Sequence, residues 1–420
     1  MLMEEPDIFY YTDPAAMEPM MPDGDGELQE LVVRLIRSAS MLDASLHPIT
    51  RDAVAEFLQP MNSYYSNLIE GHDTHPIEIG KSMSKSYSGD DKRKNLQLEA
   101  IAHIAVQKKI IAGFENGEWT DPYDPLFIRE IHRLFYENLP ASFKEIRTEK
   151  GVLTKVVPGV FRSVEVQVGT HIAPHSSCVD QFMMRFHQVY SPLSMLQRSP
   201  VERIIAAAAA HHRLAWIHPF QDGNGRAIRI FSDCCMRREN VHAGGIWSVS
   251  RGLARNKQVY LERLSNADLE RHNSYDGRGH LSMKHLHAFC QFFLETCIDQ
   301  TEFMRRALNT DEMIARIHFF TDWMSARNII RREAREALVQ CYLKGKITRN
   351  EMLQITGLSD KTVKQMTDDL ERLGLLVSRT ETRQTVFSLR WSIESAALLF
   401  PGLYPADKEQ DMLKLLAQSH

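Results

Sequence analysis

Twelve residues, His218-Pro219-Phe220-Gln221-Asp222-Gly223-Asn224-Gly225-Arg226-Ala227-Ile228-Arg229, bring together a titratable imidazole, a carboxylate, a glycine-rich turn and two guanidiniums. Gly223 and Gly225 flank Asn224 and precede Arg226-Ala-Ile-Arg229-Ile-Phe, a pattern that predicts a tight loop opening into a helix. The first amides of such a helix point outward and attract anions, so the loop can cradle phosphate. Arg226 and Arg229, three apart, share one side of that helix and offer planar donor forks to phosphate oxygens. Asp222 supplies a hard oxygen of the kind Mg²⁺ accepts beside substrate phosphates and water. His218, with an ordinary pKa near ~6.5, can take a proton from an attacking hydroxyl at neutral pH. These residue types spell phosphoryl or nucleotidyl transfer. Each element alone is commonplace, since Gly-Asn-Gly turns and helix-ending His-Pro pairs abound; the ordered set is what carries information.

The element before the loop decides what kind of phosphate site this is. No Lys-Ser/Thr follows the glycines, which excludes a Walker loop, and the preceding segment is not a strand, which excludes a dinucleotide fingerprint. From Pro200 to Ile217 the chain favours helix and is apolar on nearly every side through Ala206 to Ala210, which predicts a central buried helix closely packed by its neighbours. The adjacent His211 and His212 point in different directions on such a helix, so they are assigned structural or surface roles rather than metal binding.

His218 to Arg229 resembles the Fic family signature, His-Pro-Phe-x-Asp/Glu-Gly-Asn-Gly-Arg-x-x-Arg, without a departure. That resemblance implies a mainly α fold, a Fic-type helical bundle with a β-hairpin flap, and transfer of AMP from ATP to a hydroxyl side chain of a target protein with release of pyrophosphate. It implies that His218 deprotonates the target Ser, Thr or Tyr and that Asp222 binds Mg²⁺. Gly223, Asn224, Gly225 and Arg226 would bind the α- and β-phosphates, and Arg229 the γ-phosphate. Upstream, Ser66-Asn67-Leu68-Ile69-Glu70-Gly71 resembles the inhibitory motif Ser/Thr-x-x-x-Glu-Gly/Asn of self-restrained members of that family. Glu70 could pair with Arg229 and occupy the fork the γ-phosphate needs; Ser66 lies one turn earlier on the same face. The other reading of these residues is a surface helix that ends at Glu70 before Gly71.

Between Gly151 and Val179, Val152 to Val157 and Val164 to Val168 alternate or are β-branched, as hairpin strands are. This island resembles the Fic flap, which pairs with a target protein by strand addition. Toward the C-terminus, helices over 331–343, 349–355 and 360–373, a turn at Gly357-Leu-Ser359, and strands over 375–377 and 385–389 predict a winged helix-turn-helix. Its third helix sets Lys361, Lys364 and Arg372 against Asp360, Asp368, Asp369 and Glu371, so DNA binding is not favoured over protein recognition or packing, although Arg379 and Arg383 in the wing keep it open.

With a formal net charge of −4, the composition shows no nucleic-acid or membrane surface, and no apolar run approaches spanning length. The N-terminus lacks an export signal and reads as a mobile acidic lead, and six cysteines without a Cys-x-x-Cys pair fit a reduced cytoplasmic chain. The expected organisation is the lead over 1–25, N-terminal helices over 26–120 with the inhibitory helix at about 51–71, and the Fic core over 121–300. A connecting helix over 301–330, the winged region over 331–395 and a C-terminal tail over 396–420 complete it. Tyr260, on a helix from Asn256 to Asn266, is read as an adenine neighbour. An autoinhibited protein adenylyltransferase is the favoured function. The alternatives are a winged-helix transcriptional regulator using the Fic core as a nucleotide or ligand sensor, and an enzyme that removes AMP; oligomeric state, a homodimer included, stays open.

Overall fold

The structure is a computed structural model that describes residues 9–23, 26–147 and 153–418; the first eight residues and Gly24 and Asp25 of the expected lead, and Gly151 and Val152 of the expected β-rich island, lie outside the described residues. Among those residues the fold is mainly α, with strands confined to two short hairpins and one three-stranded antiparallel sheet. No helix among them is long and apolar enough to cross a membrane. The chain divides into two compact units, each built from separated stretches rather than from the consecutive segments the sequence suggests.

The first unit draws on the chain up to Leu35, on Ala102–Asn240 and on Gly252–Ile298. Its centre is the helix Pro200–Ile217, begun by a capping box in which Ser199 and Glu202 satisfy each other's amides. Ala206 to Ala210 are at most 1% exposed, and the small side chains let the helix Asn224–Arg238 and the helix Val179–Tyr190 pack directly on it. The helix Pro125–Glu137, capped by Asp124, packs against Asn224–Arg238 and buries Phe127, Ile131 and Phe135. Each such large apolar side chain contributes about 1.5–3 kcal/mol through burial.

Two expectations are corrected in this unit. Residues 9–23 are no mobile lead: Pro14–Met17 forms a 3-10 helix, Met17 is 0% exposed, and the Pro19 carbonyl accepts two bonds from the Arg213 guanidinium at 3.0 and 2.7 Å. Acidic composition concealed the apolar anchors Met17 and Met20. Nor do the two strands expected around Pro158 pair with each other. Leu153–Lys155 pairs with Glu145–Arg147, and Gln167–Val168 pairs with His171–Ile172. The intervening chain is drawn inward instead, because Gly159 (φ +73°) sits against Arg129 and Arg133, where a Cβ would come within 2.8 Å of the Arg133 side chain.

The second unit gathers Ile36–Ile101, Val241–Arg251 and the chain from Asp299 onward. Residues 334–389 form the helix Ala334–Lys344, the strand Lys346–Thr348, the helices Arg349–Thr356 and Asp360–Arg372, and the strands Leu376–Glu381 and Gln384–Leu389. The last strand lies centrally in the sheet, paired with both others; the strand Lys346–Thr348 was not expected. The helix Pro48–Ile69 packs in this unit: Thr50 donates to the Tyr342 carbonyl at 2.9 Å, and Phe57 meets Phe400 with centroids 4.9 Å apart. Residues 396–418 are therefore no loose tail, with Phe400, Leu403 and Met412 at 0% exposure.

Candidate functional site

The helix Pro200–Ile217 stops at His218, whose backbone is left-handed (φ 48°, ψ 60°) and whose amide bonds back to the Leu214 carbonyl at 3.2 Å. Pro219 cannot continue a helix, so the chain must turn here. A left-handed non-glycine residue is costly and persists only where its surroundings fix it. Arg162, 4% exposed, does the fixing. Its Nε donates to the His218 carbonyl at 2.9 Å, its amide to the Pro219 carbonyl at 2.9 Å, and Nη2 to the Pro174 carbonyl at 2.5 Å. His171 adds a bond of 2.8 Å from Nε2 to the Trp216 carbonyl. Burial lowers the Arg162 pKa, with Glu165, 3.7 Å away, opposing.

The loop closes on itself. Asn224 accepts the Phe220 amide at 2.9 Å and donates to the Phe220 carbonyl at 2.7 Å, so its side chain clasps the loop and leaves anion contact to backbone amides. Gly223, in the left-handed region at φ 78°, stands just ahead of the helix Asn224–Arg238. A Cβ there would fall 2.9 Å from the Tyr136 ring, so glycine is required by both conformation and space.

Asp222 is held from the helix Pro125–Glu137. The Tyr136 hydroxyl donates to Asp222 Oδ2, and Arg226 Nη2 lies 3.4 Å from the same oxygen and 3.5 Å from the Tyr136 hydroxyl. Burial works against ionisation of Asp222, but the Arg226 guanidinium, the Tyr136 hydroxyl and the Gly223 amide outweigh it and hold the carboxyl below its ordinary value. One turn before Tyr136, His132 Nδ1 accepts the Gly159 amide at 2.9 Å, which leaves the proton on Nε2 to be donated to the Asp222 carbonyl at 3.1 Å. Burial pushes the His132 imidazole down to about 4, against the pull of the Asp222 carbonyl and carboxylate, so this tautomer is neutral.

The structure thus brings His218, Asp222, Gly223, Asn224, Gly225 and Arg226 into one loop and helix mouth. Arg226 and Arg229 are 6% and 2% exposed, and the Arg226 guanidinium lies over the Phe135 ring at 4.6 Å. Two buried imidazoles, His103 and His211, are each pushed down to about 3 by burial, with the Arg229 charge acting in the same direction on both. His211 is bound to Ser232 and Tyr260 at 2.7 and 2.8 Å. Tyr260, read from the sequence as an adenine neighbour, is 4% exposed and its hydroxyl is bonded to His211. Asp233, one turn beyond Arg229, was overlooked by sequence reasoning; its Oδ1 is buried, and burial raises its pKa to about 7 although Arg237 and Arg229 oppose it.

In the second unit, Glu70 follows the last turn of Pro48–Ile69 as its C-terminal cap and is exposed, with Gly71 left-handed at φ 88°. Ser66, on the same face, is fully buried. His72 Nδ1 lies 2.6 Å from Glu99 Oε2 and ties the residues after the cap to the helix that begins at Asp91.

Arg162, His132 and Tyr136 are the site residues that the motif did not reveal. Only the i,i+4 spacing of His132 and Tyr136 on an otherwise apolar face could have signalled two of them. No group of three or more His, Cys, Asp or Glu among the described residues could hold a metal ion. A half-exposed Asp222 carboxylate with its rotation fixed, beside a loop that can take phosphate, fits a magnesium ion that draws its remaining ligands from substrate and water.

Residues 122–236 match the Fic/DOC family. A protein adenylyltransferase Fic of Culex quinquefasciatus is 28% identical over 204 residues, 48% of this chain and 36% of that protein. Its counterpart in Drosophila grimshawi is 32% identical over 117 residues, 27% of this chain and 24% of that protein. The chain therefore spans about a third or less of the length of these curated relatives. A solved Fic family protein of Desulfovibrio desulfuricans G20 overlays 87% of this chain and 96% of its own, with a TM-score of 0.49 and 15% identity.

Proposed function

From the premise that residues 122–236 are a Fic/DOC domain, we propose that this chain is a protein adenylyltransferase, transferring AMP from ATP to a hydroxyl side chain of a target protein. The observation that carries this reading is the left-handed turn at His218, which sets an imidazole and the Asp222 carboxylate on one short loop ahead of a helix N-terminus. His218 takes the proton from the target hydroxyl, whose oxygen bonds to the α-phosphorus while the bond to the β-phosphate oxygen breaks and pyrophosphate leaves. The Gly223, Asn224 and Gly225 amides and Arg226 hold the α- and β-phosphates, and Arg229 the γ-phosphate. Asp222 would hold Mg²⁺, which when bound neutralises phosphate charge. The segment around the short strands Gln167–Val168 and His171–Ile172 receives the target, with Arg162 and His171 fastening it to the end of the helix that leads to His218.

Glu70 is the restraint in this reading, disfavouring the γ-phosphate position at Arg229. Residues 331–395 serve as a winged helix-turn-helix with a role in protein recognition or packing. Arg349 is paired with Asp360, Arg372 with Asp369 and Lys346 with Glu381, and cations engaged in this way are poorly placed for phosphates. Five of the six cysteines are buried and all are unbridged, which suits a reducing cytoplasm.

The test uses ATP labelled at either end. Label at the α-phosphate should enter protein, label at the γ-phosphate should not, and His218→Ala should lower incorporation at least ~100-fold, as expected for a lost general base. Transfer of the γ-label, or undiminished transfer by His218→Ala, would overturn the reading.

A further inference from the structure

The cluster around Asp222 contains a residue that neither the motif nor the chemistry of transfer requires. Tyr136 stands on the helix Pro125–Glu137, outside the signature loop, and is 1% exposed. Its ring closes over Gly223, and its hydroxyl donates to Asp222 Oδ2. The Asp222 side chain is 45% exposed, so its carboxylate reaches the mouth of the loop while one oxygen is fastened from behind. Arg226 Nη2 completes the triangle at 3.4 Å from the carboxylate and 3.5 Å from the phenol.

We propose that Tyr136 is a positioning residue for Asp222, fixing the rotation of the carboxylate so that it meets a divalent cation in one orientation. The proposal rests on the reading of Asp222 as the magnesium ligand. A carboxylate free to rotate, with Arg226 beside it, would turn toward the guanidinium and close a tighter ion pair. The phenol prevents this by sharing the oxygen nearest Arg226. It also adds no charge of its own, so the site keeps its attraction for a cation. Phenylalanine would fill the same space over Gly223 without the bond to Asp222.

The test measures binding of Mn²⁺ to the full chain with a non-hydrolysable ATP analogue, by electron paramagnetic resonance, for the parent, Asp222→Ala and Tyr136→Phe. Asp222→Ala should lose the cation. Tyr136→Phe should bind it about tenfold more weakly, the low end of the ~10–100-fold that outer partners of metal ligands are worth, while binding the analogue alone as the parent does. Thermal unfolding of the same samples guards against a folding defect: a loss of Mn²⁺ that merely tracks the unfolded fraction overturns the proposal. So does parent-like Mn²⁺ affinity in Tyr136→Phe when Asp222→Ala is impaired. Parent-like affinity in Asp222→Ala as well would remove the cation from Asp222 and take the functional reading of that residue with it.

Discussion

His132 lies face to face on Phe220, with ring centroids 3.9 Å apart and planes 6° from parallel. The stack orients an imidazole whose two nitrogens face different segments, the Gly159 amide on one side and the Asp222 carbonyl on the other. One neutral ring thereby ties the chain after the first hairpin to the signature loop, and fixes the backbone of the carboxylate whose side chain Tyr136 holds.

His132→Phe separates the two contributions of that ring. The aromatic surface against Phe220 is kept, but a buried amide and a buried carbonyl lose their partner, each at a cost of about 1–3 kcal/mol. Urea denaturation should therefore show a stability loss of roughly 2–6 kcal/mol, the two groups taken together. A variant as stable as the parent would show that stacking alone holds the loop.

The loop was legible in the sequence and its supports were not. Glycine at 223, the helix after Asn224 and the helix before His218 follow from local rules of capping and backbone freedom, which act over a few residues. Arg162, His132 and Tyr136 act across 56, 90 and 86 positions, and no local pattern announces such partners. The strands failed for a related reason. β-branched residues favour extended chain but do not choose a partner, and the close seat of Gly159 against Arg133 sent the two runs to different neighbours. Likewise Met17 and Met20 stand among prolines and acidic residues, and only a completed core shows that they fill it.

Glu70→Gly addresses the restraint. If Glu70 competes for the fork that the γ-phosphate needs, removing it should raise labelled AMP transfer about tenfold or more, which corresponds to only ~1.4 kcal/mol of relief. Glu70 is exposed and caps its helix, so thermal stability should change little. Glu70→Gly in a His218→Ala background should stay inactive, which ties any gain to the same site. Equal transfer by Glu70→Gly and the parent would leave Glu70 as a helix end and nothing more.

Acid stability turns on groups of opposite sign around Arg229. His103 and His211 are pushed from the ordinary 6.5 down to about 3, so below pH 6.5 the unfolded chain takes up protons that the folded chain refuses, and their stability contribution is lost as pH falls. Asp233 behaves in reverse. Raised from 3.8 to about 7, it keeps its proton in the folded chain, and its contribution is present at low pH and lost as pH rises toward 7. Near pH 5 each imidazole binds about one proton on unfolding and Asp233 releases about one, so the carboxyl blunts the acid slope. Asp233→Asn should steepen the fall in unfolding free energy between pH 6.5 and 4.5 by ~1.4 kcal/mol per pH unit. Denaturant titrations at several pH values would read this directly, and parallel slopes for the parent and Asp233→Asn would mean that Asp233 is already ionised in the folded chain.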